Sequence, residues 1–157
     1  MATGLLHLHN LMRWVVLIFG LLTLIKGFSG MSGKKTFTAG DKKTAMFLMI
    51  SCDIQLLLGL ALYFMNGWFK VLTSGSEFMK LPAQRFFAME HAVGMIIAIV
   101  LVHIGYAATK KNIADGAKFK KMFWFTLIAF IIIMATIPWP SREAIGRPMF
   151  PGMTVGA

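Results

Sequence analysis

The chain has 157 residues, of which 57% are hydrophobic and 14% charged; a soluble domain carries about 25% charged and roughly 45–50% apolar residues. These departures exclude a water-soluble globular fold and a disordered chain. The net charge of +10 sits in short basic runs between long apolar stretches, which is a topology signal and not a nucleic-acid surface. The single cysteine excludes a disulfide framework and any Cys-based zinc or iron–sulfur site within the chain.

A hydrocarbon core of about 30 Å needs about 20 helical residues. Four stretches qualify, at about residues 3–25, 44–66, 84–108 and 121–139. Each is long and uninterrupted and lacks period-2 alternation, so helices are expected and not barrel strands. The first has no basic leader and no small-x-small cleavage site, so it is expected to be retained as a membrane helix. Short connections then predict an all-α integral membrane protein, an up-down-up-down four-helix bundle in one domain (residues 1–140). An irregular tail (141–157) is expected on the outer surface, rich in turn formers such as Pro148, Pro151, Gly152 and Gly156.

The loops set the orientation. Lys26, Lys34, Lys35, Lys42 and Lys43 flank the first connection, and Lys110, Lys111, Lys118, Lys120 and Lys121 the third. The second connection and the tail carry only Lys70, Lys80, Arg85, Arg142 and Arg147. The basic loops belong in the cytoplasm, which puts both termini outside. Trp14, Trp68, Trp124 and Trp139 fall toward span ends, and Pro138 with Pro140 should stop the fourth helix.

Contacts between membrane helices collect small and polar side chains, and this sorts the histidines. Helical steps from His9 reach Met12, Arg13, Val16, Gly20 and Thr23; from His7 they reach Leu11, Trp14, Ile18, Leu21 and Ile25. His9 is therefore expected to point inward and His7 toward lipid or headgroups. His91 shares a seam with Ala88, Gly94, Ala98 and Gly105, whereas His103 sits with Ile96, Ile99 and Val100 near the cytoplasmic end. His9 and His91 fall at the same depth, roughly 9–10 Å below the outer surface, with Gly59 at about 12 Å on the returning helix.

Two inward imidazoles at one level, on alternate helices, suit the axial positions of one b-type haem, a ligation that favours electron transfer. Gly59 and Gly94 would leave room for a flat ring, and Arg13 would face a propionate; its alternative is an ion pair with Glu90 or Asp53. Helix two carries a seam of Ser51, Cys52, Gln55, Gly59 and Tyr63. Interhelical hydrogen bonding is its expected role, and a quinone headgroup contact at Gln55 or Tyr63 the alternative. Asp53 falls on a greasy face instead and needs a partner or a proton.

The stretches LHLHNLMRW, DIQLLLGLALYF and EHAVGMIIAIVLVHIG resemble small four-helix cytochrome b-like membrane proteins of bacteria, and one half of haem A synthase. His9 with Arg13, and His91 with Gly94, stand at the matching positions. The resemblance implies a multi-pass protein of the bacterial inner membrane that binds one haem and passes electrons, with quinone or a larger respiratory complex as partners. Half the helices of haem A synthase are missing, and so is its Glu-x-x-His-Arg run, which argues against haem A synthesis itself. The competing expectation is a cofactor-free accessory or assembly subunit; a small transporter is disfavoured by the absence of paired acids and broken helices.

Overall fold

The computed structural model describes residues 2–150; the tail expectations at Pro151, Gly152 and Gly156 lie outside them. The described chain is helical, with no strand. Its helices are α1 (Ala2–Gly30), α2 (Ala39–Met65), α3 (Trp68–Thr73), α4 (Pro82–Arg85), α5 (His91–Thr109) and α6 (Asp115–Thr136). A π-helical turn, Phe86–Glu90, joins α4 to α5. Four helical stretches are long and apolar enough to cross a membrane: Thr3–Gly30, Ala39–Met65, Pro82–Thr109 and Asp115–Thr136.

The ends differ from the expected ones for local reasons. Hydropathy marks only the apolar middle of a helix, and α1 continues to Gly30 through Lys26. α2 starts at Ala39 because Thr38 and Asp41 form a reciprocal capping box. Asp41 N donates to Thr38 Oγ1 (3.3 Å), Thr38 N donates to Asp41 Oδ2 (3.0 Å), and Lys26 Nζ stands 3.6 Å from Asp41 Oδ1. Thr38→Ala is expected to lower stability by about 1 kcal/mol, read as a lower midpoint of thermal unfolding in detergent. α6 stops at Thr136, three residues early, because Ile137 precedes Pro138 and is held extended (φ −69°, ψ 132°).

α1 packs beside α2 and α6, and α5 packs beside the same two, so α1 and α5 occupy opposite corners. The core between them is built from small and medium side chains, among them Val16, Cys52, Ala98 and Ala129. Glycines let α6 approach α1 closely: Gly20 faces Phe130, Gly27 faces Phe123 and Gly30 faces Phe119. The outward faces carry exposed Ile18, Leu21, Ile25, Leu57, Val100 and Ile131. Apolar side chains on the outside with small ones inside is the distribution of a helix bundle in lipid.

The second connection holds more structure than a loop. α3 is preceded by Gly67, whose positive φ of 75° supplies the left-handed turn, and Trp68 stacks on Phe87 with centroids 5.4 Å apart. Residues 141–150 form no helix, yet they are tied down. Arg147 N donates to Pro138 O (3.0 Å), Trp14 Nε1 donates to Met149 O (3.1 Å), and Phe150 stacks on Trp14 at 5.3 Å. The segment thus closes over the first half of α1.

Candidate cofactor site

The two seams that the sequence singles out meet. The rings of His9 on α1 and His91 on α5 stand with centroids 6.4 Å apart and planes inclined at 69°. They face each other across the diagonal of the bundle, in the wall of a cavity of about 680 Å³ lined chiefly by α1, α2 and α5. Cofactor pockets fall at about 300–1,000 Å³. Exposed Leu60 and Phe64 on α2, with Val93 and Ile96 on α5, belong to its wall, so the cavity opens sideways between these helices. A ligand would reach it along the apolar flank.

His91 is held by the way α6 ends. The last four carbonyls of a helix have no partner within it, and on α6 each finds one nearby. Ile133 O accepts from Ile137 N at 2.9 Å. Met134 O, facing a Pro138 that has no N–H, accepts from Trp139 Nε1 at 2.8 Å. Ala135 O accepts from Arg142 Nη1 at 3.1 Å. Thr136 O would look to residue 140, which is again a proline; it accepts instead from His91 Nδ1 at 2.8 Å. A carbonyl can only accept, so Nδ1 carries the hydrogen, and in the neutral ring Nε2 is then the atom with the lone pair. Ligating histidines are oriented in this way, the second nitrogen donating to a carbonyl.

Gly94 acts through the same clamp. A Cβ there would lie 2.7 Å from Thr136 Cγ2. Its open side therefore admits α6 and not the cavity, which corrects the expectation that Gly94 makes room for a ring. Gly59 lines the cavity, and its open side is turned to the His9 ring: a Cβ on it would lie 3.3 Å from His9 Cε1.

His9 is positioned by Gln55. The Gln55 amide donates to His9 O at 3.0 Å, and its nitrogen lies 3.4 Å from His9 Nε2. His9 Nδ1 and Gln55 Oε1 are both buried without a hydrogen-bond partner. Tyr63 donates to Ala88 O at 2.7 Å, within the π-turn that leads into His91. Gln55 and Tyr63 are thus engaged inside the protein and support the two histidines, one each. Cys52 is buried in the core, and Ser51 bonds to Phe47 O and Leu48 O within its own helix.

Arg13 is only 6% exposed. Neither carboxylate expected as its partner reaches it. Glu90 pairs with Arg85 Nε at 2.7 Å, and Asp53 lies 3.3 Å from His103 Nε2. Arg13 Nη2 donates instead to Met149 O at 2.6 Å, and its Nε is buried and unpaired. A buried cation without a counter-charge is costly, and this one lines the cavity, with Arg147 also in its wall.

His7 lies beside exposed Leu11, Ile18 and Leu21 and is not in the cavity wall, yet it is half-buried and its Nδ1 is buried without a hydrogen-bond partner. No family model matches the chain, and no curated protein or solved structure is significantly similar to it. The site therefore stands on its own geometry. Among the described residues no three His, Cys, Asp or Glu side chains converge as a metal site. A closed structural metal site needs about four protein ligands. Two imidazoles suit a metal whose remaining ligands arrive with it. With metal–nitrogen bonds of about 2 Å, two rings on opposite sides of one metal have centroids roughly 6–6.5 Å apart. The observed 6.4 Å fits.

Proposed function

We propose that the chain is a membrane cytochrome that binds one b-type haem between His9 and His91 and carries electrons in or alongside a respiratory chain. Its four long helices would cross a bacterial inner membrane up-down-up-down, with both termini and the ring site toward the outer face and the lysine-rich loops in the cytoplasm. The observation that carries this reading is the level, inward pair of imidazoles beside an apolar cavity of cofactor size. When bound, a haem with two imidazole ligands supplies one-electron iron chemistry without an open coordination position.

The chain's own residues would do the rest. Thr136 O fixes the His91 tautomer so that Nε2 is the ligating atom. Gln55 fixes the backbone of the turn that bears His9. Gly59 turns its open side to the His9 ring, and the apolar walls exclude water. Arg13 and Arg147 supply positive charge for the two carboxylates of the ring.

The test is the absorption spectrum of protein purified after expression with ample haem, oxidised and then reduced with dithionite. A Soret band and a sharp reduced α-band are expected, with one haem per chain. A colourless protein would overturn the reading and leave an accessory subunit as the better account. Gly59→Leu places a side chain against His9 and is expected to weaken haem uptake by about tenfold, the scale of a disturbed ligand support, read from a Soret titration.

A further inference from the structure

The end of the bundle away from the two imidazoles carries an unbalanced positive charge. Both carboxylates there are engaged within the fold. Asp41 closes the capping box and faces Lys26, and Asp115 accepts from Phe37 N at 3.0 Å and from Lys118 Nζ at 3.3 Å. Two further lysines are held as well: Lys35 Nζ donates to Ser29 Oγ at 3.3 Å, and Lys110 Nζ lies 4.4 Å from the centre of the Tyr106 ring. Lys34, Lys42, Lys43, Lys111, Lys120 and Lys121 are exposed, and their ammonium groups have no partner among the described residues.

Three of the outward apolar stripes run into these lysines. Helical steps from Lys43 reach Phe47, Ile50, Ile54 and Leu57 on α2, all exposed. Steps from Lys120 and Lys121 reach Trp124, Ile128 and Ile131 on α6, exposed likewise. Lys111 follows the end of α5, whose outward side carries Val93, Val100 and Ile104. Each stripe suits acyl chains, and each ends in a cation whose long stem can follow apolar surface while its head reaches the headgroup layer. Trp124 stands exposed one turn inside Lys120, at the level where interfacial tryptophans lie.

We propose that this collar of lysines docks phospholipids of net negative headgroup, with the phosphate on the free ammonium groups and the acyl chains along the stripes beside them. The charges alone would suit an acidic protein equally well. Their continuity with the apolar stripes selects a molecule that carries an anionic head and hydrocarbon chains together. The attraction acts over a Debye length of roughly 10 Å at 0.1 M salt, so it selects the lipids in contact with the bundle and not the bulk bilayer. Of the proposed function this inference needs only the membrane setting; it uses neither histidine and no cofactor.

The test is reconstitution of the full chain in phosphatidylcholine vesicles with a trace of spin-labelled phosphatidylglycerol or spin-labelled phosphatidylcholine. The motionally restricted fraction of each label is read from its electron paramagnetic resonance spectrum. At low salt phosphatidylglycerol is expected to associate about fivefold more strongly than phosphatidylcholine, the scale of one lysine acting on an anionic surface. Salt at about 1 M, where the Debye length is about 3 Å, should remove most of the difference. Lys43→Gln, Lys111→Gln, Lys120→Gln and Lys121→Gln combined should bring the two lipids close to parity, while Lys70→Gln, exposed on α3 at the other end of the bundle, should leave the preference unchanged. Equal association of the two lipids with the unmodified chain, a preference that survives high salt, or a preference undiminished in the combined variant would overturn the proposal. Should the combined variant not insert, the salt dependence of the unmodified chain decides alone. A chain that alkaline carbonate strips from the vesicles overturns the membrane setting and this proposal together; a chain that stays inserted and prefers neither lipid overturns this proposal alone.

Discussion

Replacing His91 with alanine is expected to abolish the paired-imidazole spectrum of protein reconstituted with haem, and His9→Ala to do the same. Loss of a hydrogen bond that merely supports a ligand costs about 10–100-fold in affinity; loss of the ligand itself should exceed that. His91→Ala also leaves Thr136 O without the donor that satisfies it, so it should lower the unfolding midpoint as well. His9→Ala removes a ring whose Nδ1 has no protein partner and should affect stability less. The two variants are thus expected to share a spectroscopic loss and to differ in stability. His7→Ala and His103→Ala are the controls: one lies outside the cavity wall and the other pairs with Asp53, so both should retain the bands. Retention of the bands in either His9→Ala or His91→Ala would remove that residue as a ligand.

Much of this geometry is legible in the sequence, because helical spacing alone decides which side chains share a face. The stripe from His9 through Arg13, Val16, Gly20 and Thr23 turns inward as read, with the last four buried. The stripe from His7 turns outward at Leu11, Ile18, Leu21 and Ile25, whereas Trp14 on the same stripe packs against the core and lies under Met149 and Phe150. Spacing along one helix says nothing about which neighbour a face meets, and the misses follow from that. Gly94 reads as part of the His91 seam, yet its open side meets Thr136 on α6. Asp53 and His103 lie fifty residues apart, and only the packing of α2 on α5 pairs them. Backbone acceptors are the least visible of all. Thr136 O clamps His91, and Met149 O receives Arg13 and Trp14. The two prolines after α6 carried the signal for the first, since a helix ending in Pro138 and Pro140 must hand its carbonyls to other donors. The capping box at Thr38 and Asp41 was also readable from its spacing; hydropathy had placed the start of α2 several residues later.

Gly30→Ala is expected to be the most disruptive single-methyl change in the bundle. An added Cβ would lie 2.2–2.4 Å from three atoms of the Phe119 ring, far inside van der Waals contact. Phe119 is fully buried, with Phe37 packed at 4.9 Å and Lys35 Nζ above its ring at 5.6 Å. The ring is thus enclosed, and relief requires Phe119 or the α1–α6 contact to shift. Overpacking of this kind costs about 1–3 kcal/mol, occasionally more. The sign is what makes the measurement decisive, because removing a helical glycine otherwise stabilises by roughly 0.5–1 kcal/mol. At Gly4 nothing lies within 4 Å of the added Cβ, so Gly4→Ala should raise the unfolding midpoint in detergent while Gly30→Ala lowers it. Combining Gly30→Ala with Phe119→Leu should recover part of the loss through a coupling of about 0.5–3 kcal/mol. That recovery would tie the cost to the α1–α6 contact itself, since a backbone preference at residue 30 would be unaffected by the side chain at residue 119.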